Sequence, residues 1–256
     1  MIGSGILAVL FATSGVQWVG LFGGGVIPAP WRVVQLNSKV KPTTYRAATI
    51  DGVAGIAAHA DSSMALLARP IAVDLADTPV LCWRWRIDAP VAAADMTKRS
   101  GDDYAARLYV AFDIPASALS LGTRAKLSLA RRLFGKSVPD AALNYVWDNR
   151  NPIGTARKSP YTDRAHLIVS ESGASRAGRW VTERADIAAD YARAFPRQPG
   201  KPVLLAIASD TDDTKSRADA AFADIRFVSR AQRCDGQTQS NPRDDEVALM
   251  LRPRTA

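Results

Sequence analysis

Cations, aromatic rings and carboxylates alternate along several short apolar runs of this sequence. In Leu81-Cys82-Trp83-Arg84-Trp85-Arg86-Ile87, a two-residue period puts Leu81, Trp83, Trp85 and Ile87 on one face and Cys82, Arg84 and Arg86 on the other. The same period over 103–113 separates Ala106, Leu108, Val110 and Phe112 from Asp103, Arg107 and Tyr109. Asn144 and Asp148 share a face, as do Asp224 and Arg226. Guanidinium groups beside carboxylates and rings suit recognition of an anionic or hydroxyl-rich ligand through charge-assisted hydrogen bonds and stacking. Arg84 and Arg86 leave their strand on one side, and Arg107 is expected to face them from a neighbouring strand. The plainer reading is the solvated outer face of an antiparallel sheet, with Asp103 and Asp224 pairing the cations.

The 17 residues Asp148–Arg164 (DNRNPIGTARKSPYTDR) follow Trp147 and lack apolar periodicity. Long loops of this kind carry binding groups or cover a sheet edge. Trp147, Asp148, Tyr161 and Arg164 complete a candidate ligand set with Arg84, Arg86, Asp103 and Arg107. Directly after an apolar run come Asp210, Asp212 and Asp213, interleaved with Thr211 and Thr214. Closely spaced carboxylates and hydroxyls suit a hard cation such as Ca2+. The spacing is not that of an EF-hand, because Lys215 and Ala221 stand where Gly and Glu are required. A turn held by Asp and Thr hydrogen bonds is the simpler account.

Catalytic signatures are sparse. There is no G-x-S-x-G elbow, H-E-x-x-H, P-loop or dinucleotide fingerprint. Asp102 and Asp103 could pair with Asp210 or Asp212 as acid and base, and Tyr161 and His166 could move protons beside Arg107 in a lyase-like site.

The elements that must position these groups are mainly strands. Runs at 80–87, 106–112, 143–147, 166–170, 203–209 and 222–228 have strand length and do not alternate with helices. Two packing helices are expected: one over 119–134, closed by Gly135 and Pro139, and one capped by Asp186, with Ile187, Tyr191 and Phe195 four residues apart. The fold class is therefore all-β, a jelly-roll-like β-sandwich over 31–229. Residues 230–256 lack aromatic residues and read as a disordered tail.

Residues 1–31 carry no charged side chain. The run MIGSGILAVLFATSG reads as the apolar part of an export signal, with residues 1–30 a signal peptide or a membrane anchor. The expected location is periplasmic or secreted. Cys82 reads as a small buried hydrophobe and Cys234 as part of the tail; a bridge between them is conceivable, and two unrelated cysteines are the expectation. The balance of 33 Lys+Arg against 25 Asp+Glu gives +8. The densest basic cluster, Arg124, Lys126, Arg131, Arg132 and Lys136, lacks the interleaved aromatics of a single-strand binder, so no nucleic-acid partner is expected.

Taken in order, Cys82-Trp83-Arg84-Trp85-Arg86, Asp102-Asp103 with Ala106-Arg107, Leu143-Asn144-Tyr145-Val146-Trp147, Gly154-Thr155, Ser159-Pro160-Tyr161-Thr162, Ser209-Asp210-Thr211-Asp212 and Asp224-Ile225 form a specific set. The set resembles the bacterial domain-of-unknown-function family 3047. The resemblance implies an exported β-sandwich protein and no established activity, so it assigns no catalytic residue. The resulting expectation is a non-catalytic module that binds a glycan or another anionic envelope component, with a polysaccharide lyase or hydrolase using the same face as the alternative.

Overall fold

A computed structural model describes residues 15–23, 25–134 and 138–235. The apolar segment 1–14, Lys136 and the tail from 236 onward lie outside the described residues.

In chain order the strands are β1 (Val16–Gly20), β2 (Arg32–Val34), β3 (Thr44–Ile50), β4 (Val53–Asp61), β5 (Leu66–Pro70), β6 (Val80–Ile87) and β7 (Tyr104–Asp113). Helix α1 (Leu121–Phe134) follows, then β8 (Ala141–Asp148), β9 (Ala156–Lys158), β10 (Ala165–Ser172) and β11 (Val181–Asp186). Helix α2 (Ile187–Ala194), β12 (Lys201–Asp210) and β13 (Arg217–Val228) complete the described order. The strands form two sheets. The first runs β11-β6-β13-β4-β3, with β1 added on β13; the second runs β2-β5-β12-β7-β8-β10-β9. They pack face to face as a sandwich, which agrees with the all-β expectation.

The two-residue period explains the packing. Trp83, Trp85 and Ile87 of β6 meet Leu108, Val110 and Phe112 of β7 and Leu143, Tyr145 and Trp147 of β8 in one apolar interior. The rings interlock there, with Trp83 5.3 Å from Trp85 and 5.4 Å from Tyr145, and Trp85 5.8 Å from Trp147. The pairings between the named strands are antiparallel except that of β8 with β10, which are parallel with Ala142 opposite Ala165. The stretch between those two strands was expected to be a loop, and it contains the short edge strand β9 paired to β10. Asp186 caps α2 as expected, its Oδ1 accepting from Ala189 N at 2.9 Å.

The ends of the domain lie outside the anticipated 31–229. Val16–Gly20 was read within the export segment, yet it forms β1 and pairs with Val228–Ile225. Trp18 covers the guanidinium of Arg226 at 5.0 Å. At the other end Cys234 is buried and joined to Cys82 by a disulfide, which corrects the expectation of two unrelated cysteines. The bridge packs among Val80, Val228 and Val16 on the outer side of the first sheet. Alternation had placed Cys82 on that side beside Arg84; what it could not supply was a partner 152 residues away.

Candidate functional site

The expected ligand face does not assemble. Arg84 and Arg86 belong to β6 in the first sheet, whereas Arg107 belongs to β7 in the second, so they cannot face one another from neighbouring strands. Each has its own partners. Arg84 Nη1 lies 3.2 Å from Asp224 Oδ2, and its guanidinium is 5.5 Å from the Trp180 ring. Asp224 adopts φ 54° at a β-bulge in β13, where the register shifts against β6. Arg86 bonds Asp51 Oδ2 at 2.7 Å and the carbonyl of Gly178, with Asp88 3.5 Å away.

Arg107 is enclosed, with 3% of its surface exposed. Nη1 donates to Asp102 O at 2.9 Å and to Asp210 Oδ2, and Nη2 donates to Asp102 Oδ1 at 3.1 Å. With the Asn144 amide turned oxygen-first, that oxygen accepts from Nη2 at 2.6 Å and Nε at 3.1 Å. All five N–H groups are thus engaged, and Tyr104 and Tyr109 stack on the guanidinium at 4.8 and 5.3 Å. Burial pushes the Asp102 and Asp210 carboxyls upward, and the charge of Arg107 opposes it. The polar face of β7 and β8 is therefore an internal network. A second apolar cluster of Met96, Tyr104, Val146, Leu167 and Val169 lies on the same side of the sheet.

The remaining candidates scatter. Trp147 is in the sandwich interior, its indole N–H bonded to Gly173 O at 2.9 Å. Asp148 is buried and caps the following turn, accepting from Arg150 N at 2.8 Å and Asn151 N at 2.6 Å. Arg164 Nε donates to Asp140 O at 2.7 Å, and its guanidinium lies over Phe195. Tyr161 is exposed; its hydroxyl donates to Asp213 Oδ2 at 2.7 Å, and Arg99 lies over the ring. Asp210 leaves the anticipated acidic trio for Arg107, and Asp103 takes its place. Ligand oxygens of Asp103, Asp212 and Asp213 lie within 4.8 Å of one another. Asp103 already accepts from Asp213 N at 3.3 Å, Thr214 N at 2.5 Å and Thr214 Oγ1 at 2.6 Å. Protein donors therefore hold this turn, as an Asp/Thr turn requires.

A cleft of about 450 Å³ opens elsewhere, where the edge strands β9 and β10 of one sheet meet β11 and α2 from the other side. Its walls combine Ile153, Ile168 and Ala185 with Tyr145, His166, Glu183, Asp190 and Arg193. Glu183 stands opposite Trp83 in the β11–β6 register, and its Oε1 accepts from Trp85 Nε1 at 3.1 Å. Burial pushes its carboxyl up to about 8; the Trp85 hydrogen bond opposes this and Glu171 adds to it. At neutral pH Glu183 is mostly a neutral acid that can donate a proton to a hydrogen bond. Tyr145 OH donates to Asp190 Oδ2 at 2.6 Å, and Arg193 pairs with the other Asp190 oxygen. Burial holds the half-buried His166 below the usual imidazole range, helped by Lys158 and Arg164.

Of these lining residues only His166 was named from the sequence for its chemistry, and Tyr145 appeared there only within the ordered set that carries the family resemblance. Arg107 is walled in and Tyr161 sits on the acidic turn, so the lyase-like trio of Tyr161, His166 and Arg107 is divided among three surroundings. Glu183 did leave a signal: Val181, Glu183 and Ala185 share one phase of β11, which puts an acid among apolar positions.

The architecture defines a two-sheet β-sandwich with a mixed polar and apolar cleft along one open edge. The chain belongs to the family described as Protein of unknown function (DUF3047), whose model matches residues 29–226. No curated protein matches the chain.

Proposed function

We propose that the protein is a non-catalytic, extracytoplasmic β-sandwich module that binds a short glycan segment in the cleft between β10 and β11. The observation that carries this reading is the environment of Glu183. A neutral carboxyl, the Asp190–Arg193 pair and a half-buried imidazole beside apolar wall can bond hydroxyls and pack against the carbon face of a sugar. A location outside the cytoplasm is supported by the Cys82–Cys234 disulfide, since such bonds persist in oxidising compartments. The uncharged segment 1–14 is consistent with it.

The test is a glycan array followed by calorimetric titration of the saccharides retained. Ala156 lines the cleft from the exposed edge strand β9, so Ala156→Trp should block binding without disturbing the interior. Retained binding in that variant would remove the cleft from consideration. A polysaccharide-active enzyme is the second reading, favoured by a raised carboxyl that shares one cleft with a second carboxyl group, that of Asp190. Product formation that disappears in Glu183→Gln would select it; binding without product selects the module.

A further inference from the structure

Helix α1 links β7 to β8. Four of its fourteen residues are Lys or Arg and none is Asp or Glu. At about 100° per residue, Leu121, Ala125 and Leu129 fall on one stripe, and Leu127 falls on the opposite side. Leu127 is buried at 5% exposure, so this side holds the helix to the protein. The stripe faces outward, with Leu121 80% and Leu129 57% exposed. Arg124 and Lys126 flank the stripe, one on each side, and both are exposed. Outward leucines between cations match the pattern of a helix lying in a membrane interface, with leucines among the acyl chains and long cations reaching the headgroups.

The position of the helix fits the same occupant. Val16, the first residue of β1, pairs with Val228, which also pairs with Val80 at the start of β6. Gln17 Nε2 donates to Ala72 O at 2.7 Å, just beyond the end of β5. Pro70 at that end pairs with Leu204, near the Lys201–Asp113 pair where β7 finishes and the path to α1 begins. Val16 and the end of β7 therefore lie at the same end of the sandwich, the one from which α1 emerges, and the uncharged segment 1–14 precedes Val16 in sequence. Nucleic acid would meet the cations but leave the leucines in water.

We propose that α1 docks this end of the sandwich on an anionic lipid surface through Leu121 and Leu129, with Arg124 and Lys126 at the headgroups. This surface is separate from the cleft and does not depend on what the cleft binds.

The test uses the full chain labelled with an environment-sensitive dye at Ala125→Cys, an exposed position on the stripe between the two leucines. A control label sits at Ser175→Cys, an exposed site near Gly178, whose N–H bonds Ile87 O at the opposite end of β6. Vesicles of phosphatidylglycerol with phosphatidylcholine should shift the dye emission to the blue at 125 and not at 175. Pure phosphatidylcholine should have little effect at either site. Arg124→Gln with Lys126→Gln should weaken the response about tenfold or more, as should raised salt. Both positions are exposed, so this variant should keep its fold, which its melting temperature checks. No shift at 125, an equal shift on neutral vesicles, an equal shift at 175, or an unchanged response in the double variant would overturn the proposal.

Discussion

Cys82 and Cys234 are bonded across 152 positions of sequence, with Cα atoms 5.4 Å apart. The bond ties the segment after β13 to the outer side of β6, and Arg226 Nη2 holds the same segment through Cys234 O at 2.6 Å. Closing a loop of this length restricts the unfolded chain by about 5 kcal/mol. Urea titration with and without reductant should show a loss of that order, and Cys82→Ser should reproduce it without reductant. The oxidised protein should present no reactive thiol from either cysteine.

Arg107 carries a second expectation. Arg107→Ala leaves Asp102 and Asp210 buried without their cation and should cost about 3–5 kcal/mol. Saccharide binding by whatever protein remains folded should be unchanged. Loss of binding at undiminished stability would instead give Arg107 a direct ligand role.

Stability should depend on pH through Glu183. Its folded carboxyl titrates near 8 and its unfolded one in the ordinary carboxylate range, so between those values the folded state holds the extra proton. Its contribution is therefore fully present at acid pH and is lost as pH rises towards 8, with a slope of up to about 1.4 kcal/mol per pH unit. Comparing melting curves of the parent and Glu183→Gln from pH 5 to 9 isolates this part, which the variant should lack.

Two aromatic residues with similar sequence credentials should diverge. Trp147→Ala opens a void in the sandwich interior and should cost about 3–5 kcal/mol. Tyr161→Phe removes one exposed hydrogen bond to Asp213 and should cost under about 1 kcal/mol. Denaturant midpoints of the two variants check the contrast.

Export makes a positional prediction. Signal cleavage compatible with this fold must spare Val16–Gly20, because that strand completes the pairing of β13 and Trp18 covers Arg226. Amino-terminal sequencing of the protein from the periplasm or medium of its host should find a start at or before Val16. Recovery of an intact Met1 in the cytoplasm would contradict export.

The β-sandwich was legible because alternation is a local property. Trp83 and Trp85, or Leu108 and Val110, leave their strands on one side whatever lies beyond, and their apolar phases had to be buried against another sheet. The cap at Asp186 is local too, since its acceptor meets Ala189 N only three residues on. Assignment of strands to sheets is not local. Alternation could pair Arg84 and Arg86 on one side of β6, but it could not put Arg107 in the opposite sheet. Nor could it show that Asp102, Asp210 and Asn144 would engage every donor of that guanidinium. The disulfide and the cleft follow the same rule. Cys234 finds Cys82 only after β13 has laid the chain end over β6, and Glu183 gains its raised carboxyl only where β11, α2 and β10 close around it. Side-chain phase follows from the backbone period within a strand, whereas covering, pairing and desolvation depend on elements far apart in the chain, and only the tertiary structure brings those together.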